Sequence, residues 1–200
     1  MKQDEALQRI EEIQRIAERT TLYTLLPGLA AIIGGSLVIV GCAMSYIMIE
    51  SFDFGCLIQL PIKDQIIFLV LWMVIGIAAI AVEVILTARD AKKQGIAPFG
   101  RPGKLSAYSL TPSVFVAVII TLKLIFDADM ETASQNFRYL APIWMMCYGT
   151  GVYAAGLFSV RLPRLLGLAF IMLGSVSLVF FDRYALVLVY LSFGIFHIIF

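Results

Sequence analysis

Charge is scarce in this chain. Asp, Glu, Lys and Arg make up 14% of its 200 residues, and 60% are hydrophobic. A water-soluble domain of this size needs a polar covering that such a composition does not supply. A lone histidine rules out a multi-histidine metal or haem site. The three cysteines, Cys42, Cys56 and Cys147, follow no zinc or redox spacing and read as unpaired thiols. HExxH, a serine-nucleophile signature and a dinucleotide loop are all missing, so no catalytic residue, cofactor or metal is expected. No basic stripe or matching motif suggests a nucleic-acid partner. The opening "MKQDEALQRIEEIQRIAERT" carries both signs of charge and does not resemble a secretory signal.

What is present is a series of apolar runs. A bilayer crossing takes about 20 helical residues. The runs at 22–49, 65–87, 112–127, 139–160, 163–181 and 184–200 read as six transmembrane helices. Asp64 is the expected N-cap of the second, and Thr111 with Pro112 the expected start of the third. Continuous apolar runs argue against a membrane barrel. The expected fold is all-α: a polytopic six-transmembrane-helix bundle at 21–200, preceded by a cytoplasmic amphipathic helix at 1–20.

Charge placement gives an orientation. With the N-terminus inside, the cytoplasmic side collects eleven basic residues: Lys2, Arg9, Arg15, Arg19, Arg89, Lys92, Lys93, Arg101, Lys104, Arg161 and Arg164. The opposite side holds three, Lys63, Arg138 and Arg183. Short loops biased this way put both termini in the cytoplasm. Leu7, Ile10, Ile13 and Ala17 form an apolar stripe on the N-terminal helix. The basic 88–110 stretch contains proline and glycine, which argue against one continuous helix there.

Few side chains stand out as carriers of function. Glu83 lies inside the second run, where an ionised carboxylate is costly. His197 shares its depth near the end of the sixth. The two are expected near a polar cavity, with Tyr148, Tyr153 and Tyr190 as further lining. Whether they relay a proton, bind a solute or only form a structural hydrogen bond stays open. Lys123 precedes Asp127 by one helical turn and reads as an interfacial ion pair, its stem against apolar neighbours and its ammonium at the headgroups. Gly34, Gly35, Gly149, Gly151 and Gly156 would let helix backbones approach closely. Pro27 before Gly34 and Gly35 faintly echoes Pro142 before Gly149 and Gly151, as an inverted repeat would.

The stretch "RIEEIQRIAERTTLYTLLPGLAAIIGG", with its Glu18-Arg19-Thr20 junction, resembles the opening of a family of uncharacterised bacterial multi-span inner-membrane proteins. The resemblance implies a bacterial inner (plasma) membrane location and carries no functional residue with it. The leading expectation is a noncatalytic membrane protein with an interaction, sensing or regulatory role through its cytoplasmic helix and basic loop. The alternative is a small-solute or ion transporter with its polar cavity near Glu83 and His197. Membrane lipids are the expected surroundings, with a second copy or a cytoplasmic protein as partner.

Overall fold

A computed structural model describes residues 7–10, 13, 28–93, 95, 100–126, 130–159, 161–180 and 182–200. They are almost wholly helical: α1 (Gly28–Ile49), α2 (Ile62–Lys93), α3 (Arg101–Phe126), α4 (Met130–Ala155), α5 (Arg161–Phe180) and α6 (Ala185–Ile199). Four of the helical stretches, Gly28–Ile49, Ile62–Lys93, Gly103–Leu124 and Arg161–Phe180, are long and apolar enough to cross a membrane; Ala185–Ile199 is apolar but shorter. The outward faces are strongly apolar, with Ile77 and Ile80 on α2, Phe115 and Ile119 on α3, and Met172 and Val179 on α5 all exposed. Apolar surface so continuous belongs against lipid. The protein is a membrane-embedded, multi-span helical bundle.

α4 falls below that hydropathy for a structural reason: it is the central helix. It packs on α3, α5, α6 and the short 3-10 turn Phe54–Gln59. Phe137, Leu140, Ala141, Pro142 and Met145 are buried along it. A helix solvated by protein needs less apolar surface than one solvated by lipid. α1 pairs with α2, and α6 joins that pair to the α3–α4–α5 group.

Several helix ends differ from the sequence reading. α2 starts at Ile62 rather than 65, and Asp64 sits in its first turn instead of capping it. There a carboxylate still complements the helix dipole. Gln65 reaches back from the same turn, its Nε2 donating to the carbonyls of Ile58 (3.3 Å) and Leu60 (2.9 Å). α2 continues past 87 to Lys93, where basic residues fill the last turn. Gly95 follows at φ +68 and donates its N–H to the Lys92 carbonyl.

The third helix begins at Arg101, so the 88–110 stretch is mostly helix and Thr111 and Pro112 lie in the helix interior. Pro112 deprives the Tyr108 carbonyl of its usual donor. Beside it, the Ser109 and Thr111 hydroxyls donate to the Leu105 and Ala107 carbonyls, each at 2.8 Å. Both bonds go to carbonyls of the preceding turn rather than to that of Tyr108. α4 runs over Met130–Ala155 rather than 139–160, with Pro142 well inside it; α5 opens at Arg161. Of the N-terminal segment, 7–10 and 13 are helical, with Leu7, Ile10 and Ile13 exposed; Ala17, the remaining member of the proposed stripe, lies outside the described residues.

Two clusters of buried residues hold the bundle. Near the α1–α2 connection, Val38, Cys42, Phe54, Leu57, Phe137 and Leu186 meet others from α1, α2, α4, α6 and the 3-10 turn. Deeper toward the other end, Met145, Phe170 and Leu188 are surrounded by Tyr148, Phe193 and Phe196. Cys42, Cys56 and Cys147 are free thiols.

Candidate functional site

The second cluster includes Tyr148, one of the polar residues that the sequence singles out; Glu83 is on α2. On α2, Thr87 and Ala91 are buried and Glu83 is partly buried one turn before Thr87. The i, i+4 spacing puts Glu83 and Thr87 on one helix face, and the Thr87 hydroxyl donates to Glu83 Oε1 at 3.5 Å. That spacing was readable in the sequence; Thr87 as the partner was not singled out.

α4 contributes Tyr148, whose ring packs against Phe170 of α5 and Phe193 and His197 of α6, with centroids 5.2, 5.1 and 5.5 Å away. Its hydroxyl lies 2.8 Å from His197 Nε2. The imidazole is further enclosed by Phe170, edge-on at 5.5 Å, and Phe193, stacked at 6.2 Å. Its other nitrogen, Nδ1, lies 3.4 Å from the Ser192 carbonyl oxygen. Ser192 itself is buried, and its hydroxyl donates to the Leu188 carbonyl at 2.7 Å. Between Tyr190 and Phe196, α6 is wound as a π-helix, a geometry that recurs at functional sites.

Glycine brings these helices together. A Cβ on Gly35 would stand 2.6 Å from the Gly194 carbonyl oxygen and 3.4 Å from His197 Cβ, so its absence admits α6 against α1. Gly34 instead faces Ala79 of α2 at ordinary contact distance. Gly149 meets Gly167 and Phe170 of α5, Gly151 meets Leu110 of α3, and Gly156 meets Arg164. Arg164 Nε also donates to the Gly156 carbonyl at 2.7 Å.

Among the polar residues singled out, the structure brings together Tyr148 and His197, while the partner it gives Glu83 is Thr87 on the same helix. Tyr153 and Tyr190 lie exposed on the bundle surface. Lys123 is exposed in the last turn of α3, and Asp127 lies outside the described residues. The aromatic enclosure by Phe170, Phe193 and Phe196 was not foreseen, since phenylalanines in apolar runs carry no positional signal until helices are packed.

The arrangement offers a carboxylate, a phenol and an imidazole in an otherwise apolar interior. These groups can hold or exchange protons and hydrogen-bond a small polar molecule. No group of three or more His, Cys, Asp or Glu placed to hold a metal ion occurs among the described residues. Compared with protein-family models, curated proteins and solved structures, the chain matches none.

Proposed function

We propose that this chain is a noncatalytic six-span protein of a bacterial inner membrane, both termini cytoplasmic, that passes a small solute or ion by way of Glu83, Tyr148 and His197. The observation supporting this reading is the 2.8 Å Tyr148–His197 contact inside the bundle, together with the partly buried Glu83 carboxylate retained within the α2 span. Ionisable groups are costly at membrane depth, and those retained there commonly mark solute or proton paths. For the orientation, the support is the gathering of Arg89, Lys92, Lys93, Lys104, Arg161 and Arg164 at the helix ends near the start of α1. α4 and α6 supply the two crossings beyond the four most apolar ones, α4 sheltered by neighbours and α6 short.

The test uses purified protein in sealed lipid vesicles. Proton uptake is followed with a trapped pH-sensitive dye, and solute entry by swelling in glycerol, urea and potassium acetate. Flux above empty vesicles in at least one assay, reduced about tenfold or more in Glu83→Gln with unchanged helical content, is the expected result. Flux equal to that of empty vesicles in all of them would reject the reading.

A second reading is an interaction, sensing or regulatory role, favoured by the exposed helical positions Leu7, Ile10 and Ile13. The occupant proposed for that stripe is its counterpart in a second copy of the chain. Removing residues 1–20 then converts a crosslinkable dimer in lipid nanodiscs to monomer. The same dimer yield with and without the segment rejects it.

A further inference from the structure

Hydroxyls inside these helices follow one habit. Ser36, Ser109, Thr111, Thr121, Thr150 and Ser192 each donate to the carbonyl four residues earlier, at 2.7–2.8 Å. Such a bond satisfies the hydroxyl within its own helix. Ser177 on α5 departs from the habit. Its side chain is fully buried and its oxygen has no hydrogen-bond partner among the described residues, so it is not turned back onto the Leu173 carbonyl.

The packing of α4 on α5 shows what Ser177 faces. The two helices run antiparallel, with Gly167 against Tyr153, Gly149 against Phe170 and Ile171, and Gly174 against Met145 and Met146. One turn further along that seam, Ser177 comes opposite Pro142, which is also fully buried. Pro142 has no N–H to give the Arg138 carbonyl, and a helical carbonyl at that position is directed along α4 toward the proline. The Arg138 side chain is committed elsewhere, its Nε donating to the Asp53 carboxylate. A hydroxyl without a partner on α5 thus stands level with a carbonyl deprived of its helical donor on α4.

We propose that this pair is a binding station for a small uncharged solute that donates hydrogen bonds, of the class of water, urea and simple polyols. One N–H or O–H of the solute goes to the Arg138 carbonyl, and a second polar atom meets Ser177 Oγ, which can donate or accept. The same chemistry turns ions away. Two neutral oxygens are too few to replace the hydration of a cation, and a carbonyl oxygen repels an anion. Buried polar groups held apart from partners cost stability, and sites that keep such a cost are commonly functional. The station lies six residues before Tyr148 on α4, about 9 Å along the axis. It rests on reading the chain as a carrier, and it names the class of solute carried.

The dipeptide Val176-Ser177 occurs once in the sequence, so 13C-carbonyl valine combined with 15N serine isolates the Ser177 amide in the full chain. In lipid bilayers, titration with urea is expected to move that resonance saturably. Tetramethylurea keeps the acceptor but has no N–H for the Arg138 carbonyl, and is expected to leave it in place. No saturable shift with urea, or an equal shift with tetramethylurea, overturns the station. In the vesicle assay, Ser177→Ala is expected to slow urea and glycerol swelling about fivefold, the effect of losing one ordinary hydrogen bond. The titration uses the unsubstituted chain, so it decides the matter even if Ser177→Ala does not fold. A saturable urea shift with no flux above empty vesicles overturns the carrier reading alone. Flux that Ser177→Ala leaves unchanged, or that includes neither urea nor glycerol, overturns the station alone.

Discussion

Asp53 and Arg138, 85 residues apart in sequence, form a partly buried ion pair in which Arg138 Nε donates to both carboxylate oxygens, at 3.1 and 2.9 Å. The same carboxylate accepts the Gly55 N–H at 2.7 Å and so caps the Phe54–Gln59 turn. One side chain thus shapes the α1–α2 connection and fastens it to the central helix. With side-chain exposures of 14% for Asp53 and 25% for Arg138, water screens the pair only in part. Asp53→Ala removes the cap and leaves the guanidinium without its counter-charge. Charged hydrogen bonds contribute about 1.5–3 kcal/mol each, so a loss of about 2 kcal/mol is expected. Asp53→Asn, which keeps an acceptor for Gly55, should lose less; equal melting temperatures for the two variants in detergent would show that the cap contributes nothing.

Gly149 and Gly167 bring the backbones of α4 and α5 into contact. A Cβ on Gly149 would be 2.8 Å from the Gly167 carbonyl oxygen, and one on Gly167 would be 2.7 Å from the Gly149 oxygen and 2.5 Å from the Tyr153 nitrogen. These obstacles are backbone atoms and cannot rotate aside. Alanine at either position must push the helices apart, at a cost of about 1–3 kcal/mol typical of overpacking. Gly76, with nothing within 4 Å of its virtual Cβ, is the control. Unfolding midpoints in denaturant should fall for Gly149→Ala and Gly167→Ala, with Gly76→Ala unchanged or slightly stabilised.

Ser177 has a fully buried hydroxyl with no hydrogen-bond partner among the described residues. Leaving such a group unsatisfied costs about 1–3 kcal/mol. Ser177→Ala removes the polar atom with little change in volume and should raise thermal stability by about 1 kcal/mol. A lower melting temperature would mean that the hydroxyl is satisfied in the folded protein.

Glu50 follows α1 at φ +52, the left-handed conformation that disfavours a Cβ, while its N–H donates to the Tyr46 carbonyl at 2.8 Å. Glycine adopts this conformation without strain. Glu50→Gly relieves about 1–2 kcal/mol of local cost, offset in part by the greater freedom of glycine in the unfolded chain. A modest gain in melting temperature is expected, and a loss would assign the Glu50 side chain a stabilising contact.

The helical, membrane-embedded character was legible in the length of the apolar runs and the confinement of charge between them. Helix ends were less so, because the signals used were local. Thr111 followed by Pro112 reads as a helix start, yet the helix that begins at Arg101 runs through both. The centrality of α4 was hidden because hydropathy measures preference for lipid and says nothing of burial by other helices. Nothing in the sequence pairs Asp53 with Arg138; only the packing of the 3-10 turn against α4 makes them partners. Glu83, Tyr148 and His197 were noticeable by type, but the hydrogen bond between two of them depends on the approach of α6 past Gly35.

The wide winding of Tyr190–Phe196 also sets an angular phase. A π-turn accommodates more residues per revolution than an α-turn, so whatever follows it is rotated relative to a regular helix. Letting the same residues relax to α-helix would swing His197 by about 100° around the α6 axis, the advance of the one residue that the wider winding absorbs. The imidazole would then face away from Tyr148 although neither residue had been replaced. The winding of this one segment, as much as side-chain chemistry, decides where the histidine points.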